Sequence, residues 1–185
     1  MKSFLLGMVC SLLFFSGTAY KRVDVKTVRA DKTKSYITYH MSHPLHNWDG
    51  TSKEVDAVIQ YDAVSRHILK VAALAKVASF DSKNSNRDSH MLEVTDAIKF
   101  PSVSFVSSSI VYSGSSINVS GTLSFHGLNK NISFTANEQE QGSHKIVTGK
   151  FVLLLDDFKV ERPSMMMMKT DNEMKFDFVM DFPMN

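Results

Sequence analysis

Apolar and polar residues alternate with a period of two over most of this chain, the pattern of half-buried β-strands. Ile37, Tyr39 and Met41 share one face against Thr38 and His40, and Val55, Ala57, Ile59 and Tyr61 repeat the pattern. Val71, Ala73, Ala75 and Val77 follow, then Ile117, Val119, Gly121, Leu123 and Phe125. Ile132, Phe134 and Ala136 form a row, as do Val147, Gly149, Phe151, Leu153 and Leu155, and Phe176, Phe178, Met180 and Phe182 close the chain. Val23, Val25 and Val28 predict one more short strand ahead of these. Turn residues at Asp62-Ala63-Val64-Ser65, Ser113-Gly114-Ser115 and Gln141-Gly142-Ser143 join neighbouring rows. The sum is an all-β domain. About eight antiparallel strands linked by short hairpins can close as a barrel, which removes exposed edges.

The alternation breaks once, between Phe80 and Phe105. Ser85 and Asp88 have capping-box spacing, and Met91, Leu92 and Ile98 give the segment an apolar side, which predicts a short helix near residues 85–93. Pro101 disfavours helix at Phe100, and Val103 and Phe105 open a new strand. A single helix inserted among strands is expected to cover the open end of the barrel.

The N-terminus changes the picture of location. Lys2, an apolar run from Phe4 to Phe15 and the small exit Ser16-Gly17-Thr18-Ala19 read as a secretory signal over residues 1–19, cleaved after Ala19. The run is too short for a bilayer span of about 20 residues. The mature chain, residues 20–185, is then secreted or periplasmic and lacks Cys10, the one cysteine, so it has neither disulfide nor thiolate nucleophile. Formal net charge of +2 falls to about +1 with the loss of Lys2, and both signs are interspersed. That argues against a nucleic-acid partner, which calls for a clustered basic face. It leaves transient membrane contact and a homodimer open.

Three segments resemble those of the YceI-like family. Asn84-x-Asn86-Arg87-Asp88-x-His90-Met91 with Phe100-Pro101-x-Val103-x-Phe105 is similar to its signature, and Gly121-Thr122-Leu123-x-Phe125-His126-Gly127 with Lys130 to its later strand-and-turn motif. Phe158-Lys159-Val160-Glu161-Arg162-Pro163-Ser164 resembles the segment before its last strand. The turn after Gly127 departs slightly, reading Leu128-Asn129-Lys130-Asn131. The resemblance implies a secreted or periplasmic lipocalin-like barrel, and for some members a long isoprenoid chain held inside. No cofactor beyond such a bound lipid, a polyisoprenoid or an isoprenoid quinone, is expected.

Small residues on the apolar rows (Ala57, Ala73, Ala75, Gly121, Ala136, Gly149) and large ones (Phe105, Phe125, Phe134, Phe151, Phe176, Phe178) fit either a hollow tube or a solid core. The family resemblance favours the tube, with Ala73, Ala75, Phe105, Leu123, Phe125, Phe134, Phe151, Phe176 and Phe178 as its wall. Trp48, Asn84, Asn86, Arg87, His90 and Met91 are the candidate mouth, where polar side chains read a head group or pin the helix. A filled barrel serving as an interaction module is a further alternative. So is a metal-dependent enzyme or metal carrier using His40, His43 and His46, three histidines within seven residues, or His90. The histidine spacing crosses a strand end and Pro44, with Trp48 over the rim and His46 and Asn47 in a turn. No metal site and no catalytic residue is assigned. Met165 to Met168 are read as a soft apolar lip over the tube, with ordinary packing or a copper(I) site as alternatives, and Glu161 with Arg162 as a surface ion pair or a rim feature.

Overall fold

The computed structural model describes residues 23–184; the signal-peptide reading lies outside these residues. The alternating rows become strands β1 (Val25–Arg29), β2 (Tyr36–His43), β3 (His46–Ser52), β4 (Val55–Asp62) and β5 (Ile68–Lys76). After the helix α1 (Ser85–Val94) come β6 (Ser102–Ser113), β7 (Ser116–Phe125), β8 (Leu128–Gln141) and β9 (His144–Leu154). A small ribbon of β10 (Ser164–Met165) and β11 (Met168–Lys169) precedes β12 (Glu173–Pro183).

Ten of these strands form one antiparallel sheet in the order β1-β4-β5-β6-β7-β8-β9-β12-β2-β3. It is a curled half-barrel of the all-β kind that the alternation predicts, with ten strands rather than about eight. The addition comes partly from β3: His46 and Asn47 are not turn residues but begin a strand paired with β2, from His43↔His46 to Ile37↔Ser52. The curl brings the free edges back to the sheet at two points. Thr51 and Asp81 exchange backbone hydrogen bonds of 3.1 Å, and the Asp31 N–H donates to the Asp181 carbonyl at 2.7 Å.

Inward residues of the rows form a single apolar cluster that includes Tyr39, Ala57, Ile59, Ala75, Phe105, Leu123, Phe125, Ala136, Val147, Leu153 and Phe182. Two glycines serve this packing. A Cβ on Gly121 would lie 2.5 Å from Phe105 Cζ, and one on Gly149 would lie 2.6 Å from Phe178 Cζ. Each glycine therefore seats a phenyl ring against the wall instead of leaving a gap.

The three family-like segments meet at one end of the sheet. His126 and Gly127 both have positive φ, +48° and +73°, in the turn from β7 to β8. His126 Nδ1 donates to the Phe158 carbonyl at 2.8 Å, and its ring meets Phe100 edge-on with centroids 5.3 Å apart. These motifs tie the loops around the open end, which is where α1 lies.

The candidate ligand cavity and its mouth

The interior holds an apolar cavity of about 160 Å³. All nine predicted wall residues line it: Ala73, Ala75, Phe105, Leu123, Phe125, Phe134, Phe151, Phe176 and Phe178. Five of the rings interlock across the inner face of the sheet. Phe151 stacks on Phe176 at 4.8 Å and 7°, Phe134 contacts Phe105 at 5.5 Å and Phe151 at 5.6 Å, and Phe178 meets Phe134 edge-on at 5.9 Å. Small alanines on β4, β5 and β8 (Ala57, Ala73, Ala75 and Ala136) leave space opposite these rings. The tube-or-core question thus resolves as both: rings fill the glycine positions while the alanines keep a bore.

A second cavity of about 420 Å³ opens above the first. The six predicted mouth residues Trp48, Asn84, Asn86, Arg87, His90 and Met91 line it, together with His43, His46, Thr170 and Met165. Tyr39, Met91, Thr95, Phe125 and Met174 line both cavities and so form the neck between them. The alternation puts Tyr39 on an apolar row, and nothing in the sequence marks it as a site residue. Its ring covers Gly50, where a Cβ would lie 2.3 Å from Tyr39 Cε1, and packs against Phe80 at 5.6 Å. Burial and then the Asp88 carboxylate push the Tyr39 phenol above its ordinary value, so it stays a protonated donor at neutral pH.

Helix α1 is held over this opening by polar contacts and by Met91 and Val94 packed against the core, with none of its residues fully buried. Its cap lies one residue earlier than the sequence suggests. Asn84, not Ser85, is the N-cap, and its side-chain oxygen accepts from the Arg87 N–H at 3.1 Å. Asp88 instead accepts from the Ser82 N–H at 3.1 Å, reaching back before the helix. Ile98 is not on the helix at all; it sits beyond the C-cap and is 99% exposed. The Arg87 guanidinium lies 5.1 Å from the Trp48 ring centroid, a cation–π contact, and makes one long bond of 3.5 Å from Nη1 to the Ser82 carbonyl. Most of its donors therefore remain available to the mouth.

The three histidines do not converge on one point: the His43 and His46 rings meet at the mouth, 5.5 Å apart, while His40 stands apart. His40 points to the outer face, Nδ1 within 2.5 Å of Asp49 Oδ1 and Nε2 against Asp177. His43 is buried, donates from Nε2 to the Met168 carbonyl at 3.0 Å and accepts from the Leu45 N–H at 3.2 Å. His46 stacks toward Trp48 at 5.2 Å. Among the described residues no group of three or more His, Cys, Asp or Glu side chains is arranged to hold a metal ion. Glu161 and Arg162 do not pair either; Arg162 Nε lies 3.2 Å from Asp156 and Nη1 donates to the Thr170 carbonyl at 3.1 Å.

A single curled antiparallel sheet with an apolar bore, a narrow neck and a polar mouth under one helix defines a lipocalin-like architecture. Within it, the chain belongs to the YceI-like family, whose domain matches residues 29–182. Protein YceI of Salmonella newport (strain SL254) is 28% identical over 146 residues, 77% of this chain and 75% of that protein. The crystal structure of Burkholderia cenocepacia BcnA superposes with a TM-score of 0.74 at 20% identity, over 82% of this chain and 98% of BcnA. A polyisoprenoid binding domain from Saccharophagus degradans superposes with a TM-score of 0.66 at 12% identity, over 86% and 99%. At these identities the solved structures establish the shared fold.

Proposed function

We propose that this protein is a secreted or periplasmic binding protein, not an enzyme, that holds one long-chain amphiphile, a polyisoprenoid or isoprenoid quinone. The observation that carries this reading is the bore: its wall is hydrocarbon and aromatic, and it communicates through the Tyr39 neck with a mouth bearing Arg87, His90 and Asn86. Such a wall offers water almost no hydrogen-bond partner below the neck. Hydrocarbon filling about 160 Å³ recovers roughly 4 kcal/mol of packing at ~24 cal/mol per Å³. Each methylene withdrawn from water adds about 0.8 kcal/mol before ordering costs. The chain enters the bore, and donors at the mouth meet acceptor oxygens of the head group. The Saccharophagus domain, a polyisoprenoid binder of the same fold, supports this choice of ligand class.

Native mass spectrometry of protein purified without detergent tests the reading, with the protein then offered a C20 prenol and an isoprenoid quinone. The expected result is one lipid per chain. Uptake of neither ligand, and no co-purified lipid in an organic extract, overturns it.

A further inference from the structure

The β10–β11 ribbon has a feature that neither the bore nor the mouth requires. Met165 pairs with Met168, which leaves Met166 and Met167 as a two-residue turn. Both have positive φ, +51° and +64°. Two-residue hairpins with positive φ at both positions are normally filled by Asn–Gly, because a Cβ strains the left-handed backbone. Here two large apolar side chains occupy the strained positions, and they are 76% and 100% exposed, so packing does not offset the strain. Strain maintained without a packing return is a pointer to function.

The turn stands at the rim of the mouth. Met165 lines the mouth cavity, and the Met168 carbonyl is anchored by His43 Nε2. The adjacent β2–β3 hairpin, whose His43 and His46 also line the mouth, exposes Leu45 at its tip. Two neighbouring hairpin tips thus project apolar side chains beside the opening of an apolar bore. Methionine is unbranched and flexible, suited to disordered hydrocarbon. Glu161, Lys169 and Asp171 leave the surrounding charge mixed, so apolar insertion rather than attraction to anionic lipid is the contact this surface favours.

We infer that Met166, Met167 and Leu45 form a docking tip that inserts into a lipid bilayer surface and sets the mouth against the membrane. This rests on the reading of the cavity as a lipid site, since its occupant must arrive from hydrocarbon. A few inserted side chains give weak, reversible binding, as a single acyl anchor does.

The test is flotation with phosphatidylcholine vesicles at millimolar lipid, comparing the wild type with the double variant M166N/M167G. That pair suits the turn, so the variant is expected to melt at the same temperature or higher. Its vesicle-bound fraction should fall severalfold, and L45S should lower it further. Binding of cis-parinaric acid added from ethanol should be unchanged, because neither Met166 nor Met167 lines the bore or the mouth cavity. Equal flotation of variant and wild type, or no flotation of either, overturns the docking tip. A wild-type dimer that becomes a monomer in M166N/M167G also overturns it, in favour of a second copy on this surface. Flotation lost in the variant while neither protein takes up parinaric acid supports the tip and counts against the cavity reading alone.

Discussion

Lys145 and Glu138 face each other at the end of the sheet remote from the mouth, Nζ 3.0 Å from Oε1. The lysine side chain is 1% exposed, and it continues the inward row of Val147, Gly149, Phe151 and Leu153 on β9. Glu138 also accepts from the Tyr112 hydroxyl at 3.1 Å, and Tyr112 in turn accepts from the Ile68 N–H at 2.5 Å. Glu140 adds a carboxylate 3.4 Å from Lys145 and takes a hydrogen bond from Arg66 Nε at 2.7 Å. A connected polar network therefore closes the bore at the bottom.

Breaking that network should be costly. Lys145→Met leaves Glu138 partly buried without its cation, a loss of about 3–5 kcal/mol. For a domain of this size that lowers the melting temperature by roughly 10 °C. The double variant Lys145→Met with Glu138→Leu removes both charges and should recover much of the loss. Calorimetry that finds the single variant as stable as the wild type would show that water reaches this end.

The helix cap gives a second expectation. Asn84→Ala removes the acceptor for the Arg87 N–H and should lower stability by about 1 kcal/mol. Ser85→Ala, at the first helical position, should change it by far less. Urea unfolding of the two variants measures the difference, and a larger loss in Ser85→Ala contradicts the observed cap.

His40 should make stability depend on pH. Burial disfavours its charge, but the hydrogen bonds it donates to Asp177 and Asp49 outweigh this and hold the imidazolium above its ordinary value of 6.5. A raised folded-state value means that the contribution is fully present below about pH 6.5 and is lost as pH rises through the folded value. The side chain is over a third exposed, so solvent screening keeps the effect small. Melting curves between pH 6 and 9 should show a decline in the wild type that is shallower in His40→Gln. Parallel curves would assign the slope to another group.

The bore can be filled from one position. Ala73 on β5 lies beside Ala57 on β4 and Phe105 on β6, and it lines the cavity. Ala73→Trp should reduce uptake of cis-parinaric acid about tenfold or more while the chain stays folded. Overpacking typically costs about 1–3 kcal/mol, so circular dichroism must accompany the binding assay. Normal uptake by a folded variant would place the ligand elsewhere.

The inward rows were readable from sequence because burial and the period-two pattern coincide there: Phe105, Phe134, Phe151 and Phe178 each fall on an alternating row and each lines the bore. β3 was not readable. His46-Asn47-Trp48-Asp49-Gly50 carries little inward apolar surface, and the strand is defined by partners such as Tyr39↔Gly50, where the glycine admits the tyrosine ring. The capping-box spacing points one residue late because Asn84, Ser85 and Asn86 are all capping residues. What selects Asn84 is the tertiary reach of Asp88 to Ser82. Lys145 followed the same alternation as Val147 but reads as solvated until its carboxylate partners, distant in two other segments, are known. Whether Arg87 caps or reads a ligand could not be decided from its neighbours in the chain, since Trp48 is far from it in sequence.

The Trp48–Arg87 contact makes the head-group question measurable. Stacking on the indole holds the guanidinium at the mouth while leaving donors unpaired. A charge-assisted hydrogen bond to a ligand oxygen is worth about 1.5–3 kcal/mol, which is roughly 10–100-fold in affinity. Arg87→Ala should therefore weaken binding of a C20 prenyl phosphate by that factor and leave the corresponding hydrocarbon nearly unaffected. Arg87→Lys should recover only part, because lysine offers neither the planar fork nor the stacking face. Trp48→Ala should resemble Arg87→Ala in the ratio of the two affinities, since it frees the guanidinium from its seat. The ratio decides the matter, because general loosening of α1 lowers both affinities together. An unchanged ratio in Arg87→Ala would mean that Arg87 only secures the helix, and the Tyr39 hydroxyl at the neck would become the next head-group donor to test.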